Sequence, residues 1–423
     1  MAQIKEKKKI TNPSIVALLF WLCWLAYFCT YIGRLNYNAS IAEILQAENI
    51  SKAQAGLIST CSFFTYGIGQ LCNGVIGDRV SSKWMMFAGL VVSAAVNICM
   101  GMAHSVALMT VLWGINGFAQ SMTWSPIIKL FSDYLPARNR VKASVNISTS
   151  SALGTLVSYL LAAACIALAS WRATFFSAAI FMFIVAALWL IGLTKVERYS
   201  ERHGVLEEEA PMDPNYIPKD NVSFRHLMMA SGMLFIGIAV VMHGILKDGV
   251  TTWVPTYISE IFQIGSSASI LATTLLPIIN LSGVYAASWL NRKYFKNEML
   301  TSGFFFVLAV ASLLCLVWFG DSNVILAVLL LAVTTSSMIG INTMTISVIP
   351  LYFAKSGKSA SATGVLNSFT YLGSAVSSYG IGAISGAMGW NFTIGVWIGI
   401  AVIGLVLCIA TSRRWLRFKT ANS

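Results

Sequence analysis

Two cations stand where cations are costly. Arg34 lies near the end of an aromatic, apolar run, "LLFWLCWLAYFCTYIGRLNYNAS", Leu18 to Ser40. A guanidinium keeps its charge in a protein, and a full charge at mid-bilayer costs at least about 2.5–3.5 kcal/mol. Lys247 occupies a similar depth in a later run, "VVMHGILKDGVTTWVPTY". Two cations facing one another repel when the space between them is empty. An anion between them relieves that repulsion, and an arginine fork matches phosphate or carboxylate oxygens. Tyr27 and Tyr31 precede Arg34 by seven and three residues, so all three share one helical face. Phenols beside a fork of donors suit an oxygen-rich ligand, whereas Asn36 lies off that face. Other readings of the same residues stay open. Arg34 can snorkel to the outer interface, Lys247 can pair with adjacent Asp248, and the tyrosines can pack a neighbouring helix. Asp248 is the only carboxylate placed inside a spanning run, which also makes it a proton-coupling candidate. His243, one turn before Lys247, either joins that role or packs.

No enzyme chemistry is visible. His, Cys and Asp form no cluster with metal-ligand spacing, and there is no nucleophile elbow or P-loop. The eight cysteines lie in apolar runs without a CxxC pair, which favours packing over redox or metal roles. No catalytic residue, cofactor or metal is expected.

The elements that position these residues are membrane helices. Of 423 residues 57% are hydrophobic and 10% charged, against about 25% charged in soluble domains. The mean hydropathy is +0.73. A spanning helix needs about 20 apolar residues, and such runs begin near Ser14, Ala53, Trp84, Val106, Ala143, Ala173, Leu227, Ala268, Leu300, Val324, Ala360 and Phe392. The first follows a basic N-terminus and is too long for a signal-peptide core, so it reads as a spanning helix. The expected fold is all-α integral membrane, with twelve transmembrane helices in two pseudo-symmetric six-helix halves. Residues 1–194 form the first half and 227–423 the second; the charged, proline-containing stretch 195–226 is a cytoplasmic linker. Pro126 and Pro255 are expected to break helices locally.

The net charge of +12 is a topology signal. Setting aside Lys52, Arg172, Arg34 and Lys247, the remaining 24 of 28 Lys and Arg fall in the tails and even-numbered connections. The positive-inside rule then puts both termini in the cytoplasm, and no nucleic-acid partner is needed to explain the charge. A repeat supports the two halves: "GVIGDRVSSKW" spaces Gly74 from Asp78-Arg79 as "ASWLNRKYFKN" spaces Ala287 from Asn291-Arg292. Such repeats place a site at their interface.

The stretch "GVIGDRVSSK" resembles the loop motif of the major facilitator superfamily, G-x-x-x-D-R-x-x-x-K, at Gly74, Asp78, Arg79 and Lys83. The resemblance implies the major facilitator fold, with the Asp and Arg bracing helix ends in the outward-open state. Within it, "YFCTYIGRLN", "GFAQSMTWSPIIKLFSDY" and "WVPTYISE" are similar to the organophosphate:phosphate antiporters, the group of the glycerol-3-phosphate and hexose-phosphate transporters. There, arginines on helices one and seven clamp the substrate phosphate. Arg34 matches the first, in the same frame as Tyr27 and Tyr31, while the second position holds Lys247, a cation without the fork. Tyr371, in "TYLGSAVSS", matches a cavity-facing tyrosine of helix eleven. The glycerol-3-phosphate branch has a lysine on helix two where this chain has Gln70, and a histidine in helix five where it has Ser151.

The resemblance implies a secondary active transporter of an organic phosphate, exchanging it for inorganic phosphate by alternating access. It would be a monomer in the inner (plasma) membrane, with a small anionic substrate and the lipid bilayer as its partners. The alternatives are a proton- or sodium-coupled symporter of a non-phosphate organic anion such as a sugar acid, served by Asp248 and His243, and a transporter-like sugar-phosphate sensor.

Overall fold

Every apolar run becomes a helix, because in lipid the backbone must satisfy its own polar groups. The computed structural model describes residues 8–205, 223–356 and 358–422; at some helical positions, Gly74, Asp78 and Arg79 among them, it describes the backbone alone. Helix α1 spans Pro13–Ala47, α2 Lys52–Arg79 and α3 Ser82–Met102. α4 comes in two pieces, Val106–Gln120 and Trp124–Tyr134, as does α5, Ala137–Asn146 and Ser148–Leu168. α6 is Trp171–His203. A short helix, Phe224–Ser231, leads into α7, Met233–Phe262. α8 joins Ser266–Thr273 to Leu275–Leu290 and ends in a π-helical turn. α9 is Glu298–Phe319, and α10 begins with Val324–Asn342. The long Ser359–Asn422 segment turns at Gly389, whose φ of +76° disfavours any side chain; α11 is 359–388 and α12 is 390–422.

Nine described helices are long and apolar enough to span on those grounds alone. α2, the broken α4 and the corner at Gly389 complete the twelve. Local chemistry sets the starts. Asn12 caps α1 ahead of Pro13, and Ser51 with Gln54 forms a capping box on α2. Pro126 does sit just past the break in α4. Pro255, expected to interrupt its helix, lies inside a continuous α7. It removes one N–H and frees the Thr251 carbonyl without unwinding the helix. α6 likewise runs on to His203, into the polar stretch that begins at Lys195.

α1 packs on α5 and α6, α2 on α4, and α3 on α6; α7 packs on α11, α8 on α10, and α9 on α10 and α12. The seams between the first six helices and the last six are α2 with α11 and α5 with α8. Gly56 lets α2 approach the backbone of Ser378 on α11. The seam is uneven. Tyr37, Ile58 and Trp113 belong to the same buried apolar cluster as Trp253, Tyr257 and Trp397 of the second set. Nearer the termini, the first set keeps a core of its own around Leu22, Phe131 and Trp189. On that terminal side, each set also ties a helix start to a helix end. Lys83 at the head of α3 pairs with Glu197 of α6 at 2.9 Å, and Trp189 donates to the Lys83 carbonyl at 3.0 Å. Glu298 at the head of α9 pairs with Lys419 of α12 at 2.7 Å and accepts from the Trp415 indole at 2.7 Å. Of the loop motif, Lys83 is therefore in an ion pair, while the side chains of Asp78 and Arg79 lie outside the described residues, and Gly74 is described by its backbone alone.

Candidate functional site

Arg34 opens into a cavity of about 330 Å³ between the two sets of helices, shared with Tyr31, Lys247, Asp248 and Tyr371. Its guanidinium carbon sits 4.0 Å from the ring centre of Tyr31 and 5.4 Å from that of Tyr66. Among the described residues no carboxylate or carbonyl accepts from it. The aromatic faces stabilise the cation while leaving its N–H fork for something in the cavity. Arg34 does not snorkel: it lies on the cavity wall with aromatic rings on two sides.

The backbone beneath it is pinned. The Gly33 carbonyl accepts from Asn97 at 3.1 Å and from Asn116 at 3.0 Å. Asn36 donates to Asn97 at 2.7 Å, Ser93 to Asn116 at 2.5 Å, and Gln120 to Ser93 at 2.8 Å. Buried amides in such a network leave α1 little freedom to slide or rotate, since each lost partner costs about 1–3 kcal/mol. Asn36 thus faces α3 and holds the helix that carries Arg34.

Lys247 reaches the cavity already paired. Its Nζ lies 3.2 Å from Oδ2 of Asp248, and Ser374 on α11 donates to the same carboxylate. The three charges of the lining, Arg34, Lys247 and Asp248, sum to +1. The Tyr371 ring meets that of Tyr66 at 4.8 Å, tilted by 54°, across the seam between α2 and α11. Tyr27 stands behind the wall, edge-on to Tyr31 at 5.4 Å and 5.0 Å from Trp124. His243 is fully buried and outside the cavity. Ser151 lines the cavity, and Gln70 does not.

Further lining residues carry polar groups beyond those expected from the sequence, among them Asn38, Tyr66, Gln120 and Asn280. Buried Gln120 has no partner for its Oε1. Thr335 donates to the Asn280 carbonyl oxygen at 2.8 Å, which leaves the Asn280 amide N–H groups to the cavity. A signal for them existed. The lining of α2 is Ser59, Ser62, Phe63 and Tyr66, and that of α8 is Pro277, Asn280, Leu281 and Val284. Both runs follow i, i+3, i+4, i+7, one helical face each, and so do Tyr31, Arg34, Leu35 and Asn38 on α1.

The cavity is closed on one side. Among the described residues, the hydrogen bonds between the two sets all lie beyond the level of Arg34, away from the termini. Asn38 donates to Thr252 at 3.3 Å, Thr60 to the Ala375 carbonyl at 2.6 Å, and Ser267 to that of Ala163 at 2.8 Å. Outermost, Lys52 at the head of α2 meets Glu260 near the end of α7 at 2.6 Å. The same carboxylate oxygen accepts from the Trp390 indole at 2.8 Å, and the Lys52 ammonium sits 4.7 Å from the Trp390 ring centre.

The profile of the Major Facilitator Superfamily matches residues 23–378. A probable hexose phosphate transport protein of Chlamydia trachomatis is 23% identical, over 96% of this chain and 94% of that protein. The glycerol-3-phosphate transporter of Bacillus subtilis is 22% identical, over 92% of this chain and 90% of its own length. Among solved structures, a bacterial homologue of the human lysosomal transporter Spinster, inward-facing and unoccupied, superposes with a TM-score of 0.78. It covers 96% of this chain and 99% of that one at 13% identity, a likeness of fold.

Proposed function

This chain belongs to the major facilitator superfamily, and from that premise we propose that it is a secondary active transporter of an organic phosphate, exchanged for inorganic phosphate. The observation that carries the reading is the unclaimed guanidinium of Arg34 on the cavity wall. A phosphoryl group has the charge and the paired oxygens that an arginine fork takes up. A volume of about 330 Å³ lies at the small end of ligand sites, roughly 300–1,000 Å³. Amide and hydroxyl groups of Asn38, Gln120, Asn280 and Tyr371 would meet the hydroxyls of a sugar or glycerol moiety. Lys247 adds attraction for the phosphoryl group to the extent that an incoming anion draws it from Asp248. The relatives, transporters of hexose phosphate and glycerol-3-phosphate by name, support this substrate class.

In the proposed cycle, residues 1–194 and 227–423 rock about the cavity, and α6 carries the first of them on to His203 before the connection. The termini lie in the cytoplasm of a cell whose inner membrane the protein spans, following the distribution of its cations. The described conformation is then inward-facing, with the Lys52–Glu260 contact closing the outer side. Phosphate entering from the cytoplasm neutralises the cationic cavity and makes the halves free to rock. Uptake of labelled phosphate into proteoliposomes preloaded with unlabelled phosphate tests the reading. Saturable exchange, inhibited by organophosphates, is expected; its absence in folded protein counts against it.

One observation favours a second reading. Asp248 is a carboxylate on the cavity wall, held by Lys247 and Ser374, and protonation there would release Lys247. A proton-coupled symporter of an organic anion would use that step. Uptake driven by a pH gradient without internal phosphate separates it from exchange. His243, buried away from the cavity, is not needed by either scheme.

A further inference from the structure

A second concave site lies on the outer flank of α6, apart from the transport cavity. Lys195, Arg198 and Arg202 stand at i, i+3 and i+7, on one stripe of the helix. All three are exposed, and none has an ion-pair or hydrogen-bond partner among the described residues. The nearby carboxylate of Glu197 is taken by Lys83. A helix dipole accounts for cations in a last turn, and Arg202 is there, but Lys195 and Arg198 precede it.

The cations border a groove of about 670 Å³ between α6 and the start of α1, lined also by Ile15, Leu190 and Ile191. Ile191 is 71% exposed. Because α6 runs toward the terminal face, the groove changes from apolar to cationic along its length. The apolar part lies toward the bilayer interior and the cations toward its boundary. Tyr199 and His203 stack at 4.8 Å beside these cations, at the depth where amphipathic rings favour the interface. A soluble phosphate would be met by the cations alone; only an amphiphile uses both ends.

We propose that this groove binds an anionic phospholipid, its phosphodiester on the Lys195–Arg198–Arg202 stripe and an acyl chain against Ile15, Leu190 and Ile191. Cations near the headgroups attract acidic lipid additively, and the fork of each arginine adds hydrogen bonds to phosphate.

The test is native mass spectrometry of the purified full chain with added phosphatidylglycerol or phosphatidylcholine. The wild type should retain phosphatidylglycerol in preference, and Lys195→Gln/Arg198→Gln/Arg202→Gln should lose that preference by on the order of a hundredfold in affinity. Lys293→Gln, which removes an exposed cation at the end of α8, should leave it unchanged. Excess inorganic phosphate should not displace the lipid. If the triple variant does not fold, Arg198→Gln alone should weaken retention by about fivefold. Equal retention by wild type and variant, an equal loss in Lys293→Gln, or displacement by free phosphate would overturn the proposal.

Discussion

Replacing Arg34 with alanine should remove anion recognition while leaving the fold intact, and both halves of that statement come from the site. The guanidinium touches the Tyr31 and Tyr66 rings and has no described protein acceptor, so truncation orphans no buried carboxylate. The lost cation–π contacts, about 0.5–2 kcal/mol, are offset by relief of an unpaired charge in a low-dielectric wall. Thermal stability should therefore move by only about 1 kcal/mol. Binding is a different matter. Two charge-assisted hydrogen bonds to a phosphoryl group are worth about 1.5–3 kcal/mol each, and every 1.4 kcal/mol is about tenfold. The lower end of that range already gives a rise in KM for phosphate of about a hundredfold or more. Arg34→Lys keeps the charge and loses the fork, so one bond's worth, about tenfold or more, should disappear. The assay is phosphate exchange in proteoliposomes, with thermal unfolding alongside. A KM within about threefold of wild type, in Arg34→Ala protein with wild-type stability, would refute the assignment of Arg34 as the anion ligand.

Lys247→Gln should impair exchange more than Lys247→Gln/Asp248→Asn, because the single change leaves a bare carboxylate on the wall that faces the anion; exchange KM for wild type, Lys247→Gln, Asp248→Asn and the double variant should show a coupling of about 0.5–3 kcal/mol. Glu260→Gln should loosen the outer closure. Its carboxylate is 38% exposed, so solvent screening limits the effect to about 1 kcal/mol, roughly a fivefold shift in population. Distances between spin labels at Ile50 and Ile264 should then show the more open outer face gaining. Asn97→Ala leaves the Asn36 amide and the Gly33 carbonyl short of partners, and the thermal midpoint should fall with a loss of about 1–3 kcal/mol; an unchanged midpoint would mean the network does not pin α1.

The architecture was legible because lipid allows few solutions: apolar runs of spanning length must be helices. Arg34 and Tyr31 were legible from period, since the helix repeat alone puts 31, 34 and 38 on one face. Tyr66 obeyed the same rule on α2, but its neighbours Ser59, Ser62 and Phe63 carry no charge to draw attention to the stripe. The Lys247–Asp248 pair could be read from adjacency, but its third member, Ser374, is 126 residues away. Tyr371 entered through family likeness only. The Lys52–Glu260 closure joins residues 208 apart and depends on how the halves tilt, which no local pattern encodes. Pro255 misled because a missing N–H can be tolerated within a helix where neighbours pack around it.

The ion pairs that tie helix starts to helix ends run in opposite senses in the two halves: lysine leads and glutamate follows in Lys83–Glu197, and glutamate leads and lysine follows in Glu298–Lys419. During synthesis the chain must sort two sets of similar helices. Docking α3 against α12 would set Lys83 beside Lys419, and docking α9 against α6 would set Glu298 beside Glu197. Like charges at such contacts cost rather than stabilise. The reversed order therefore favours the docking of each helix within its own half over the exchanged pairings.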